Sequence, residues 1–292
     1  MNQEYVQSLF GLQDQIAVIT GGGGILCGAM SKGLAKAGAK VMILDLLEAA
    51  AQKVAEEIRR EGGQAFAFQA DALDKKSLEK VCEEVVKKFG RVDILINGAG
   101  GNKPQATTSP DLSFFDLPQD AFRWVFDLNF TCTLLASQVF GKVMAKQKDG
   151  IILNVSSMNY FRPLTRVPAY SAAKAAVSNF TQWLAVHFSQ NYSPKIRVNA
   201  IAPRFLPDRA KPVPPYRKGD RQPDYPGKIH HRPYPDEPLR GSGRPGRSSP
   251  LAPFPGFPIR PWRRNRNRRG LLGLQRGLTT FTAGIAENAE TK

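Results

Sequence analysis

The chain has 292 residues, 42% hydrophobic and 23% charged, with a formal net charge of +16. That length supports one large domain or two small ones, with a sizeable core. Cys27, Cys82 and Cys132 are odd in number and show no paired spacing. They argue against a secreted disulfide scaffold and for a reducing compartment. No apolar run reaches the roughly eighteen residues of a membrane span, and the N-terminus lacks the charged and apolar regions of a signal peptide. The expectation is a cytoplasmic protein.

The charge is unevenly placed. Residues 1–203 hold 22 Lys and Arg against 18 Asp and Glu, whereas residues 204–292 hold 19 against 7. Seven prolines precede that cut and fifteen follow it. Leu, Ile, Val and Phe number 15 in the last 89 residues, too few to support a core. Two regions are expected: a folded domain at 1–203 and a disordered basic tail, rich in Pro and Arg, at 204–292.

In chain order, the folded region alternates short branched apolar runs with amphipathic stretches. The runs are IAVIT (16–20), VMIL (41–44), AFAF (65–68), ILI (94–96), IILNV (151–155) and IRVNAIA (196–202). They have the character of buried parallel strands. Helical spacing marks Ile25–Gly38, Leu47–Glu61, Lys75–Phe89, Gln119–Lys146 and Ala169–Gln190. The expected fold is α/β, a doubly wound parallel sheet of the Rossmann type. In such sheets ligands bind beyond the C-terminal ends of the strands.

Candidate residues fall there. Thr20-Gly21-Gly22-Gly23-Gly24-Ile25-Leu26-Cys27-Gly28 follows the first strand and opens a helix. Glycines allow a tight turn and close approach of a pyrophosphate to helix N–H groups. The alternative is a glycine-rich turn with no ligand. Asp45 ends the second strand, where a carboxylate accepts a bond from the adenosine 2′-hydroxyl and repels a 2′-phosphate, favouring NAD over NADP. Asp71-Ala72 and Asn97-Gly98-Ala99-Gly100 end the third and fourth strands. Each alone is an ordinary turn, and their joint placement suggests a dinucleotide site.

The fifth strand ends in Ser156-Ser157, and Tyr170 and Lys174 come thirteen and seventeen residues after Ser157. Positions i and i+4 share a helix face. An ammonium beside a phenol, with the nicotinium charge, favours the phenolate and lowers its pKa. Such a pair can move a proton at a substrate oxygen while hydride moves on the cofactor side. Ser157 would hold the same oxygen.

Thr20–Gly28, Asp71, the NGAG of 97–100, Asn129, Ser157 and Tyr170-xxx-Lys174 together resemble the short-chain dehydrogenase/reductase family over residues 10–203. The resemblance implies Tyr170 as acid/base, Ser157 as substrate-orienting and Lys174 on the nicotinamide ribose. Asn129 would hold a water in a relay with Lys174. It implies NAD-binding residues at Thr20, Gly21, Gly22, Gly24, Ile25, Leu26, Asp45, Asp71, Ala72, Asn97, Ala99, Tyr170 and Lys174, no metal, and a dimer formed by the helices at 119–146 and 169–190. The family pattern TGxxxGxG has Ile25 and Cys27 at its later glycines here, and NNAG reads NGAG. GGNKPQATT (100–108), FFDL and residues 156–183 resemble the D-mannonate oxidoreductase and gluconate 5-dehydrogenase subgroup. The substrate would then be a sugar acid, D-mannonate/D-fructuronate, with Lys103, Arg162 and Arg166 as candidate cations beside it.

In the tail, Arg263–Arg269 is a candidate nucleic-acid patch. A third explanation fits better. With suitable synonymous codons, RFLPDRAKPVPPYRK shifted by one base reads GFFLTEQNRFLLTE, and DEPLRGSGRPGRSSPLAP reads MNRFGEAEDLVGALLWL. The tail is expected to be a frameshift product, which would leave the chain a catalytically impaired or inactive family member. Nucleic acid is not an expected partner, a basic-tail nucleic-acid-binding protein being the remaining alternative.

Overall fold

A computed structural model describes residues 10–164 and 166–203, with the backbone of 280–281. These lie in one of two compact units, Met1–Asp220 with Gly277–Lys292; the other, Arg221–Arg276, is outside the described residues. So are the Arg263–Arg269 patch and the shifted segments.

Six parallel strands form where the apolar runs lie: β1 (Ile16–Thr20), β2 (Lys40–Asp45), β3 (Gln64–Gln69), β4 (Ile94–Asn97), β5 (Gly150–Val155) and β6 (Ile196–Ile201). A two-residue strand β7 (Thr280–Phe281) pairs antiparallel with β6, so part of the expected tail is strand. The order is β3-β2-β1-β4-β5-β6-β7. The chain winds outward from β1, then returns to its other side at β4. This is the topological switch at which such sheets bind ligands, and Thr20 and Asn97 lie opposite one another there.

Helices α1 (Ile25–Lys36), α2 (Glu48–Arg60), α3 (Lys75–Phe89), α4 (Gln119–Phe126), α5 (Cys132–Gln147) and α6 (Pro168–Asn191) cover the sheet. Alternation along β1 divides the core. Ile16 and Val18 pack with Leu78, Phe140 and Phe188, while Ala17 and Ile19 pack with Cys27, Val54 and Ile58. Full burial of a side chain such as Phe140 stabilises by about 1.5–3 kcal/mol, which fixes the strand ends carrying the candidate residues.

The expected single helix at 119–146 is corrected. Its ladder opens into a wide π-turn at Asp127–Thr131 between α4 and α5. The Asn129 amide donates to the Val125 carbonyl at 2.7 Å and also to the Gly101 carbonyl, so its side chain links the turn to the loop after β4. Such bulges are frequent at functional sites.

Candidate active site

The groove at the switch point has a volume of about 370 Å³. Thr20, Gly21, Gly24, Ile25, Leu26, Asp45, Asp71, Ala72 and Ala99 line it, as expected of a site built from strand ends. Gly21 has φ +64°, and a Cβ there would stand 2.8 Å from the Ala99 Cα, so the turn needs glycine. The Thr20 hydroxyl oxygen accepts from the N–H groups of Gly98 and Ala99 at 3.2 and 3.3 Å, tying β1 to β4.

Helix α1 begins at Gly24 without a side-chain cap and without an acid in its first turn. Its leading N–H groups, beside the groove-lining Ile25 and Leu26, suit an anion. Asp45 closes the opposite wall, accepting from Gly23 N–H and Leu47 N–H at 3.0 Å each. An uncapped helix facing a glycine turn, with a carboxylate at the end of β2, fits a dinucleotide.

Two expected cofactor residues face elsewhere. Gly22 is not among the residues lining the groove, and its N–H donates to the Leu44 carbonyl. The Asn97 side chain, 2% exposed, points into the sheet and donates to Ser137 and Asn154 at 2.9 and 2.8 Å. Sequence reasoning missed Leu44, Leu46, Ala70, Leu78 and Leu128, which line the groove. Apolar residues beside a strand end read as core, and no sequence signal separates the two.

Beyond Gly100 the proton-handling residues come together. Lys174 is buried in α6 and donates to the Val155 carbonyl at 2.7 Å. Its ammonium is 5.6 Å from the centre of the Tyr170 ring. A Cβ on Gly100 would stand 2.6 Å from the Asn129 Oδ1 and 3.4 Å from the Lys174 Nζ, so both groups flank that glycine. Asn129 also accepts from Gly101 N–H at 3.2 Å, clamping the loop backbone from both sides. Ser157 lies two residues after β5 and accepts from Asn159 N–H.

The electrostatics correct one expectation. Burial raises the Tyr170 pKa, and a hydrogen bond with Ser157 only partly opposes it. The protein therefore does not by itself depress the phenol. Burial instead lowers Lys174 to about 8. Cys27 and Cys132 are pushed up to about 11 by burial, which leaves them as inert thiols.

Lys103, Arg162 and Arg166 lie on the loops after β4 and β5. Lys103 is half-buried and the two arginines are exposed. The loops meet where Thr108 N–H donates to the Arg166 carbonyl at 2.9 Å. Among the described residues no helix is long and apolar enough to cross a membrane, and no cluster of His, Cys, Asp and Glu could hold a metal ion.

The family model described as short chain dehydrogenase matches residues 15–208. An uncharacterised oxidoreductase, UxuB of Bacillus subtilis (strain 168), is 50% identical over 203 residues, covering 67% of this chain and 72% of that protein. The 7alpha-hydroxysteroid dehydrogenase of Escherichia coli (strain K12) is 34% identical over 203 residues, covering 69% and 75%. A crystal structure of a candidate D-mannonate oxidoreductase from Haemophilus influenza with bound NAD is 44% identical. It superposes with a TM-score of 0.66, over 71% of this chain and 77% of that one. The matched region carries the groove, the Tyr170–Lys174 pair and Ser157, and the chain belongs to the short-chain dehydrogenase/reductase family of oxidoreductases.

Proposed function

We propose that residues 1–203 bind NAD(H) and interconvert a hydroxyl and a ketone on a sugar acid, with D-mannonate and D-fructuronate as the pair. Kinship with the candidate D-mannonate oxidoreductase that holds NAD supports both the cofactor and the substrate class. The observation that carries the chemistry is the placing of Tyr170 and Lys174 one helical turn apart, with the Lys174 ammonium 5.6 Å from the centre of the Tyr170 ring.

NAD(H), when bound, supplies or receives the hydride. In reduction Tyr170 gives its phenolic proton to the ketone oxygen, and in oxidation it takes the hydroxyl proton back. Ser157 donates to the same oxygen and fixes it. The Lys174 ammonium stabilises the phenolate as it forms. Asn129 holds the Gly101 backbone, next to the groove-lining Gly100 that would contact the cofactor. Lys103, Arg162 and Arg166 supply positive charge for the carboxylate. The same domain pairs with a second copy through α5 and α6, where Phe180, Trp183, Leu184 and Phe188 line a hollow of about 350 Å³.

Tyr170→Phe tests the assignment. Turnover should fall by on the order of 10²-fold or more while the NADH dissociation constant stays within about twofold. Retained turnover would show that another group supplies the proton. NADH oxidation with fructuronate, 5-ketogluconate and simple ketones tests the substrate class, and preference for the simple ketones would overturn it.

A further inference from the structure

Lys103 is held above an indole. Its ammonium lies 4.8 Å from the centre of the Trp124 ring on α4, within the range of a cation–π contact. The backbone around it is tied at several points. Two residues before it, Asn129 clamps Gly101 through both N–H and C=O. The Lys103 carbonyl accepts from Ala106 N–H at 3.1 Å and from the Thr107 hydroxyl at 3.0 Å. Thr108 then joins the loop after β5. Ala106 is buried with Ala121, Val125 and Ala169, and Tyr170 packs against that same cluster. The wall that carries Lys103 therefore also carries the candidate proton donor.

We infer that Lys103 is the carboxylate-binding residue for the acid substrate and that Trp124 is a positioning residue holding its ammonium. This rests on the sugar-acid function proposed above and assigns its charge recognition to one of three cations. A lysine alone is a flexible point charge with costly rotamer entropy. Contact with an aromatic face limits that freedom, and a half-buried ammonium pairs with a carboxylate more strongly than an exposed one. Lys103 is half-buried, whereas Arg162 and Arg166 are exposed.

The test uses the full chain with NADH present, titrated with D-mannonate and with mannitol, the neutral alcohol of equal length. Heat and tryptophan emission are the two readouts. Lys103→Met should weaken D-mannonate by about fivefold to tenfold and leave mannitol unchanged. Trp124→Phe should keep D-mannonate within about twofold but remove the emission change, because the ring face remains. Trp124→Leu should weaken D-mannonate in the same sense as Lys103→Met. An unchanged NADH affinity in each variant shows that the fold is intact. If the parent chain binds D-mannonate no better than mannitol, the sugar-acid function fails and the inference falls with it. If the parent prefers D-mannonate and Lys103→Met binds it equally well, the function stands and the inference is overturned. If Lys103→Met weakens it but Trp124→Leu does not, the positioning role of Trp124 is overturned.

Discussion

Cys27 and Gly98 share one space at the floor of the cofactor groove: a Cβ on Gly98 would lie 2.1 Å from the Cys27 Sγ. The family pattern has glycine and asparagine where this chain has Cys27 and Gly98. The thiol fills room that a side chain at 98 would take, so the two positions are expected to be energetically coupled. Gly98→Asn alone should overpack the site, costing about 1–3 kcal/mol, and should weaken NADH binding. Cys27→Gly alone should destabilise α1 by roughly 1 kcal/mol or more through backbone entropy and a void. The double variant should recover much of both losses, with a coupling on the order of 1 kcal/mol or more. Thermal unfolding and NADH titration of the four proteins measure this, and additive losses would mean the residues are independent.

Asp45 should set cofactor choice. Its carboxylate lies at the end of β2, lines the groove, and is held by the N–H groups of Gly23 and Leu47. A fixed negative charge there accepts from a ribose hydroxyl and repels a phosphate. NADH should bind more tightly than NADPH by about tenfold or more. Asp45→Asn keeps the acceptor oxygen but removes the charge, and should narrow the ratio from both sides. Equal affinities in the parent chain would remove the electrostatic argument.

The strands were legible because parallel strands buried on both faces leave unbroken branched runs, as in IAVIT and the run at 41–44. The catalytic face was legible because the four-residue spacing of Tyr170 and Lys174 forces them onto one side of a helix. The π-turn at Asp127–Thr131 was not. It adds a residue to the turn without changing composition, so apolar spacing runs through it. The coupling of Cys27 and Gly98 was hidden for another reason. Each departure was visible, but their contact across two strand ends appears only in the folded sheet. The Lys103–Trp124 contact likewise depends on how the loop after β4 folds back on α4.

Lys174 should impose a pH limit on ketone reduction. Burial lowers its pKa to about 8, while burial raises that of Tyr170. The ammonium is the form that stabilises a phenolate. Below pH about 8 the lysine is charged, and above it the charged fraction falls about tenfold with each pH unit. The phenol remains protonated across that range, so the limb belongs to the lysine. The kcat/KM for reduction should be level below this value and fall about tenfold per pH unit above it. Lys174→Arg keeps the charge at all these pH values and should remove the limb even at a lower rate. An alkaline limb that persists in Lys174→Arg would assign it elsewhere.

The last prediction concerns residues 204–292. The family match ends at residue 208 of 292, and the charge, proline content and scarcity of branched apolar residues all change at Pro203. We propose that this region continues the coding sequence in a shifted frame. The shifted readings favour this, because second codon positions are nearly fixed by each residue, so free choice of synonymous codons rarely yields a family-like segment twice. The coding DNA should therefore contain a position near codon 204 where a single-base deletion restores an apolar, helix-forming continuation. The restored protein should unfold at higher temperature than the present chain, since a continuous apolar segment would bury more surface against the sheet. It should also turn over substrate faster. Sequencing the coding DNA and comparing melting of the two products decides the matter. A DNA with no such position, or a restored chain that melts no higher, would leave residues 204–292 as a genuine segment whose basic character needs its own explanation.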